Sequence, residues 1–464
     1  MTFPRLARSW LCSALLMSPA VVRGQGFGLN EIGSCAIGRA FANTGAPCQD
    51  ASVIYWNPAA ATQLSGWSIM FGAASIGVSG AFTRDTSLAK YKADPPTSIV
   101  PTFFASYHPQ RSRIALGLGA YVPYGLTSEW GSDFPGRFLS QKASIQSIYI
   151  QPNIAYQITD GWSIGGGPIV GRSSVDLRQG IDASAQLATG TPFALGQLGV
   201  PKYTEFAEAN LKGSAVAYGT EVGLAGQIAP HTAFGARFLS PLWFNYKNAT
   251  ATFTPVATGL ALAANNPFGV PAGAPLDALF ASQFTAGGAL VSQTASTTIV
   301  DPAQLEAGLG YTGFKNWLID VDYAWVGWGQ LKAINVNFSN SPKTPNDSII
   351  MDYKNSSGVR IGVERSMENG WKLRAGFAAE ASAAPPETVT PLLPEQDRAL
   401  GNLGIAVPLG SAWSVDAAYS HLWSGGARGR LDPRTSQSQT AAQLNSGVYT
   451  LSANIVSLSF RASY

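Results

Sequence analysis

Charge is scarce in this chain of 464 residues: Asp, Glu, Lys and Arg make up 12% of it, about half the share of ordinary soluble domains. Long apolar runs are missing as well. Beyond the first two dozen residues nothing approaches the ~20 apolar residues that a membrane helix requires, so a helical membrane protein is excluded. Cysteine is limited to 3 residues and histidine to 3. His108, His231 and His421 are scattered, which offers no metal-ligand spacing; no metal or other cofactor is expected. The net charge of +3 is too small to point to nucleic acid, and no basic cluster stands beyond Arg428 and Arg430.

Aromatic residues are plentiful instead. They make up 11% of the chain, with 12 Trp and 16 Tyr, while hydrophobic content is an ordinary 46%. Few charges, many aromatics and no helical span fit a transmembrane β-barrel. In such a wall lumen-facing polar residues alternate with lipid-facing apolar ones, which hides the membrane signal from a hydropathy average.

The first 24 residues have the form of an export signal. Arg5 and Arg8 supply the positive start, Trp10 to Val22 the short apolar run, and cleavage is expected after Gly24. An anchor helix is the alternative, but the run is short and small residues follow it. Cys12 leaves with this segment. Cys35 and Cys48 remain in an exported chain, where an oxidising periplasm permits a bridge that closes a loop of ~13 residues. Two free buried thiols are the other reading.

Alternation carries the rest of the fold. At the end of the chain Val456, Leu458, Phe460, Ala462 and Tyr464 share one face, and Ser457, Ser459, Arg461 and Ser463 the other. Ile148, Ile150, Ile154 and Tyr156 oppose Ser147, Gln151, Asn153 and Gln157 in the same way. Trp317 to Trp325 alternates with Asp320 and Asp322, and Trp371 to Phe377 with Lys372 and Arg374. Trp413 to Tyr419 alternates with Ser414 and Asp416. Charged residues on the second face predict a wet lumen. Many of these runs exceed the ~9–11 residues of a tilted membrane strand.

Short turns are expected near 108–113, 159–161, 229–232, 313–316, 367–370 and 409–412. Trp162, Trp317, Trp371 and Trp413 follow four of them, and Trp67 takes the matching place on the first strand. Their repetition predicts a periplasmic aromatic girdle. Long connections near 84–98, 126–143, 180–210, 255–297, 339–349, 382–398 and 424–446 belong to the outer side. Short turns inside and long loops outside give an all-β, antiparallel transmembrane barrel of about fourteen strands. Two of the loops are greasy. Leu260, Leu262, Phe268, Leu276, Leu279, Phe280 and Phe284 lie in 255–297, and such residues make either an outer hydrophobic groove for a ligand or a lid.

Residues 25–66 do not alternate and are rich in glycine and small side chains, which suits a compact hatch that plugs the lumen; the barrel is then 67–464. This segment resembles the start of the FadL family of outer-membrane transporters. It carries Gly26, Phe27, Leu29 and Glu31, then Gly38 and Ala40, then Asp50, Ala51 and Ser52, then Asn57, Pro58 and Ala59. Val122–Trp130, Gly136–Phe138, the segment PNIAYQITDGWSIGGG and Pro394–Arg398 resemble later parts of the family pattern in order. The two hatch cysteines and the large loop at 255–297 depart from it.

The resemblance implies a 14-stranded barrel with an N-terminal hatch. A ligand docks in an outer groove, passes to an inner pocket and leaves sideways at a kink in the third strand. Movement of the hatch N-terminus accompanies release. The residues support a kink independently, since Pro123 in Val122-Pro123-Tyr124-Gly125 cannot donate to a ladder; a strand end entering a loop is the other reading.

The implied function is passive transport of hydrophobic molecules, foremost long-chain fatty acids. Neutral hydrocarbons such as toluene or alkanes, and a general porin, are the alternatives. A fatty acid head group needs a cation, for which Arg137, Lys142, Arg172 and Arg178 are candidates. Catalysis is not expected. Gly161-Trp162-Ser163-Ile164-Gly165 spells a nucleophile elbow but enters a strand, and no helix follows the glycines Gly308, Gly310 and Gly313. Expected partners are outer-membrane lipid, a hydrophobic ligand and the barrel-assembly machinery. The chain is expected to be a monomer that crosses the outer membrane of a Gram-negative bacterium many times.

Overall fold

The computed structural model describes residues 26–187, 192–262, 266, 271–340, 343–429 and 444–464. The export signal with Cys12, and also Phe268 and Arg430, lie outside the described residues. The strands in chain order are β1 (Gly66–Arg84), β2 (Lys90–Ala93), β3 (Ser98–His108), β4 (Ile114–Glu129), β5 (Lys142–Thr159), β6 (Trp162–Asp182) and β7 (Glu205–Ala229). They continue with β8 (Thr232–Leu239), β9 (Leu242–Pro255), β10 (Gln293–Asp301), β11 (Gln304–Tyr311), β12 (Trp317–Val326), β13 (Ala333–Phe338) and β14 (Asp347–Ile350). The last are β15 (Ser356–Ser366), β16 (Lys372–Glu380), β17 (Arg398–Leu409), β18 (Trp413–Ser424), β19 (Ala427–Gly429) and β20 (Gly447–Ser463). β8 runs on into β9 and β10 into β11, while β2, β13, β14 and β19 extend the outer loops. The wall is a closed antiparallel barrel of 14 strands. β1 and β20 seal it, from Ser68↔Ser463 to Arg84↔Gly447. Beyond the seam, Trp67 and Tyr464 exchange backbone hydrogen bonds of 3.0 and 2.9 Å.

Side chains obey strand parity, but which parity is apolar changes along the strand. In the periplasmic half of β5, Ile148, Ile150 and Ile154 are exposed and Ser147, Gln151 and Asn153 are buried. In its outer half the inward residues are Ala143 and Ile145, and the outward ones Lys142, Ser144 and Gln146. β20 does the same: Val456 and Leu458 face out below, whereas Ile455 and Ala453 face in above. The lipid band thus surrounds a polar lumen, and the part of the wall above it surrounds an apolar one. Trp67, Trp317, Trp371 and Trp413 are exposed at the ends beside the short turns, with Trp162 half-buried.

Two wall strands are broken by proline, which the alternation did not reveal. Pro241 separates β8 from β9 and Pro302 separates β10 from β11 at the same level. Proline has no N–H for the ladder. The crease turns Leu242, Phe244 and Tyr246 fully inward.

The segment ahead of β1 lies inside the barrel and is almost entirely buried. It forms two short helices, Ser34–Gly38 and Val53–Trp56, and a 3-10 turn, Pro58–Gln63, with Pro58 at its first position. Cys35 and Cys48 are joined, with Cα atoms 6.3 Å apart. Wall carboxylates hold its backbone. Asp322 accepts from the amides of Asn43 and Thr44 at 2.7 Å each and of Gly45 at 3.2 Å. Asp320 accepts from Ala46 at 3.1 Å, and the Thr44 hydroxyl donates to Glu306 at 3.0 Å. Asn57 donates to the carbonyls of Thr44 and Leu224, both at 3.1 Å. These contacts satisfy backbone groups that a loop buried in a lumen would otherwise leave unpaired.

Candidate functional site

A break in strand register sits in β4, at the residues expected to kink. β3 and β4 pair only over Phe103–Tyr107 and Ala120–Leu116. On the other side the β4–β5 register jumps between Tyr121 and Tyr124. Val122 and Pro123 are therefore skipped by β5, and β4 beyond Ala120 has left β3. The first residues of the lumen segment take the place of the missing strand. Gly28 bridges to Tyr124, Leu29 N–H donates to the Pro123 carbonyl at 2.8 Å, and Gly125 N–H donates to the Phe27 carbonyl at 2.9 Å. Gly125 has room for this because the Leu29 side chain lies where a Cβ would go, with Cδ1 only 2.8 Å away.

Tyr124 fixes the other side of the kink. Its hydroxyl donates to the Pro302 carbonyl at 2.6 Å, at the proline crease, and accepts from Gln304 Nε2 at 2.8 Å. Phe27 packs edge-on against Trp328 with ring centres 4.7 Å apart, and against Tyr124 at 6.1 Å.

Behind the kink lies a chamber of about 320 Å³, within the usual range for small-molecule sites. Its apolar lining is Leu29 from the arm, Val100, Val122, Leu126 and Ile145 from β3 to β5, and Leu422 and Ile455 from β18 and β20 on the adjoining wall. Ser, Thr and Gln side chains such as Ser128, Gln146 and Gln396 interrupt it, and Glu31, Glu395 and Arg398 carry the charge. Glu395 Oε1 accepts the Gly26 N–H at 2.7 Å, and Arg398 Nη2 donates to the Gly26 carbonyl at 3.1 Å. Burial is the main cause that pushes the Glu31 carboxyl up to about 7 and also raises that of Glu395. A larger cavity of about 680 Å³ opens at the end with the short turns. Arg39, Gln49, Asp160, Lys372 and Arg461 line it. It is a polar vestibule beneath the lumen segment and offers little to a greasy ligand.

The hatch-motif residues fall where they can act on the kink or anchor the segment. Gly26, Phe27 and Glu31 reach the chamber, while Asn57, Pro58 and Ala59 are buried on the wall, with Pro58 accepting from Asn153 at 3.3 Å.

The four cations proposed for a head group do not reach the chamber. Lys142, Arg172 and Arg178 stand on the outward parity of β5 and β6. Lys142 pairs with Asp176 at 3.2 Å, Arg178 with Glu129 at 3.1 Å, and Arg137 with Glu205 at 2.6 Å. Arg172 is exposed beside Ile148 and Val216 on the outer surface. Strand parity decides this, because inward positions in the outer half are apolar.

The proposed groove is also closed. Leu276 and Phe280 are 1% and 3% exposed, and Phe206 stacks on Phe280 at 4.0 Å with Phe284 at 6.3 Å. Leu279 and Phe284 pack against the same cluster, which joins the two greasy loops. Among the described residues these side chains cover one another instead of forming an open apolar surface. Arg398 is the charged group missed from the sequence. It stood in the recognised Pro394–Arg398 motif, whose position just before β17 places it at the chamber.

The enzyme-like spellings are structural. Ser163 is the second residue of β6 and accepts a 2.7 Å hydrogen bond from the Thr62 hydroxyl. Gly308 and Gly310 lie on β11 where side chains would collide with Asp322 and Ala46.

A closed, lumen-filled barrel with an apolar chamber behind a parted wall defines a membrane transporter for hydrophobic compounds. The chain matches the family described as outer membrane protein transport protein (OMPP1/FadL/TodX) over residues 15–464 and belongs to it. It is 24% identical over 441 residues to the long-chain fatty acid transport protein of Escherichia coli K12, covering 88% of this chain and 91% of that protein. Outer membrane protein P1 of Haemophilus influenzae is 22% identical, over 89% of each chain. The solved structure of a Pseudomonas aeruginosa FadL homologue superposes with a TM-score of 0.74 at 19% identity, covering 95% of this chain and all of that one (100%). The Pseudomonas putida toluene transporter TodX superposes at 0.63 and 15% identity, covering 96% and 100%. The protein is thus an outer-membrane transport protein, and its family and fold are those of transporters, not enzymes.

Proposed function

We propose that this protein carries long-chain fatty acids passively across the outer membrane and releases them sideways between β3 and β4. The observation that carries this is the apolar chamber lying against the one stretch where β4 has left β3 and is covered by an arm of the chain itself. Residues 25–66 serve as the hatch and 67–464 as the conduit. Cargo leaving through the parted wall enters lipid without crossing water, so no energy source is required beyond its own gradient. Exit requires the Phe27–Leu29 arm to come off β4. The receiving phase is outer-membrane lipid, and the chain acts as a monomer once the barrel-assembly machinery has inserted it.

Uptake of labelled oleate and labelled toluene by cells lacking their own transporter tests this, with and without the protein. A second pair of assays replaces Val122–Gly125 by regular strand sequence. Oleate uptake that vanishes on replacement is the expected result. Uptake of toluene alone would keep the route and change the cargo. A correctly inserted barrel that moves neither compound would refute the reading.

A further inference from the structure

We propose that Arg172 and Lys247 form a docking site on the outside of the wall for a phosphorylated glycolipid of the outer leaflet. This face is separate from the chamber and does not depend on what the chamber carries.

Strand geometry gives the level. Trp162 stands at the periplasmic end of β6, and Arg172 is ten residues further along the same strand. At a rise of ~3.3 Å per residue and a tilt of ~40°, such a length climbs ~25 Å, the height of the apolar band of an outer-membrane barrel. The outward side chains agree. Ile164 and Val170 on β6, Val222, Tyr218 and Val216 on β7 and Trp243 on β9 are exposed. Further out the exposed positions turn polar, with Ser174, Ser214, Asn245, Asn248 and Thr250. Arg172 therefore stands where hydrocarbon gives way to head groups, with Tyr218 and Trp243 as the aromatic girdle just below.

Register brings the two cations together. Lys212 on β7 pairs with both Asp176 on β6 and Thr250 on β9. Counted from that common rung, Arg172 lies four residues down β6 and Lys247 three residues down β9. They stand two strand spacings apart, about 10 Å, close enough for both long side chains to reach one head group. The β9–β10 register shifts at Lys247 and Asn248, which turns both outward at once.

Neither cation has a counterion of its own. Among the described residues Arg172 and Lys247 make no hydrogen bond and no ion pair, and both are exposed. The acid on the rung above, Asp176, is shared by Lys142 at 3.2 Å and Lys212 at 3.7 Å. Unpaired cations at head-group level draw anionic lipid. A guanidinium beside an ammonium can hold a phosphate from two sides, the guanidinium by its planar fork. The hydroxyl and amide side chains around them suit the sugar of a glycolipid, which a plain phospholipid does not have.

Native mass spectrometry of the unaltered protein in detergent tests the assignment without any variant. The probes are deep-rough lipopolysaccharide and the same lipid stripped of its phosphates. Each cation near a charged membrane surface contributes a factor of about five, so the phosphorylated form should be retained about thirtyfold more strongly. Arg172→Gln with Lys247→Gln should erase that preference. Lys90→Gln with Lys92→Gln, which removes the same charge from exposed positions on β2, should keep it. Heat-modifiable gel mobility shows that each variant barrel has closed. Equal retention of the two lipids by wild type, an unchanged preference in the first variant, or an equal loss in the second would overturn the proposal. So would displacement by inorganic phosphate as complete as that by added glycolipid, which would leave a plain anion site.

Discussion

Removing the Asp322 carboxylate should unseat the hatch while leaving the barrel intact. Asp322 accepts three backbone N–H groups, from Asn43, Thr44 and Gly45, at 2.7, 2.7 and 3.2 Å. Hydrogen bonds to a charged acceptor contribute about 1.5–3 kcal/mol each. Giving the long one the lower value, Asp322→Ala costs the docked loop about 5 kcal/mol, with the usual departure from additivity. That corresponds to a roughly 10³-fold or larger rise in the undocked population. Asp320→Ala is the internal control, since it removes one bond, from Ala46 at 3.1 Å, and should raise that population only about tenfold. Purified proteins in planar bilayers report the difference as ionic conductance, because an emptied lumen conducts and a filled one does not. Heat-modifiable gel mobility confirms that each barrel has closed. If Asp322→Ala is as silent as wild type, or no more conductive than Asp320→Ala, wall carboxylates are not what seats the hatch.

The disulfide should act on the same loop by a different route. It spans a sequence separation of 13 residues, for which the chain-entropy relation gives about 3 kcal/mol; replacing Cys35 and Cys48 by Ser should therefore speed hydrogen exchange of the amides between them about a hundredfold, with strand amides unaffected. Docking of the arm should depend on pH through Glu31. Its carboxyl is raised above its ordinary 4.5 to about 7 in the folded protein, so the stabilisation is complete below about 4.5 and is lost as pH rises through about 7. Exchange of the Leu29 and Gly125 amides, corrected for intrinsic rates, should show the arm loosening over that interval, and Glu31→Gln should abolish the dependence.

Much of the fold could be read from parity and punctuation. Turns rich in Gly, Asn, Asp and Pro marked the periplasmic ends, the tryptophans that follow them marked the interface, and the tally of short turns and long loops led to the strand count. Pro241 and Pro302 escaped because each stands between two well-patterned runs that together have the length of one strand. The site was harder. Pro123 announced the kink, yet nothing local to Val122–Gly125 says that the partner replacing β3 is Phe27–Leu29, nearly a hundred residues earlier. The candidate cations were named for their charge alone, without asking which side of the wall their strand positions face. Ile145 and Ile148 differ by an odd number, so they face opposite ways, and that switch in the sequence is where lipid gives way to the chamber. Carrying it along β5 and β6 would have put Lys142, Arg172 and Arg178 outside. Leu276 and Phe280 were correctly seen as too greasy for a free loop, but only the packing of Phe206 shows that they cover each other.

The seam between β1 and β20 has a consequence for how the molecule is made. It joins the strand that leaves the hatch to the strand at the far end of the sequence, residue for residue from Ser68↔Ser463 to Arg84↔Gly447. Every partly assembled form therefore presents two unpaired edges, each able to capture another chain. No intermediate sheet can hide them by folding more of itself, since the remedy for one edge is the other. The hatch emerges before all of the wall, so it must wait for a lumen to exist, and the edge of β1 must stay shielded throughout. The growing wall thus keeps both edges open until Trp67 and Tyr464 meet.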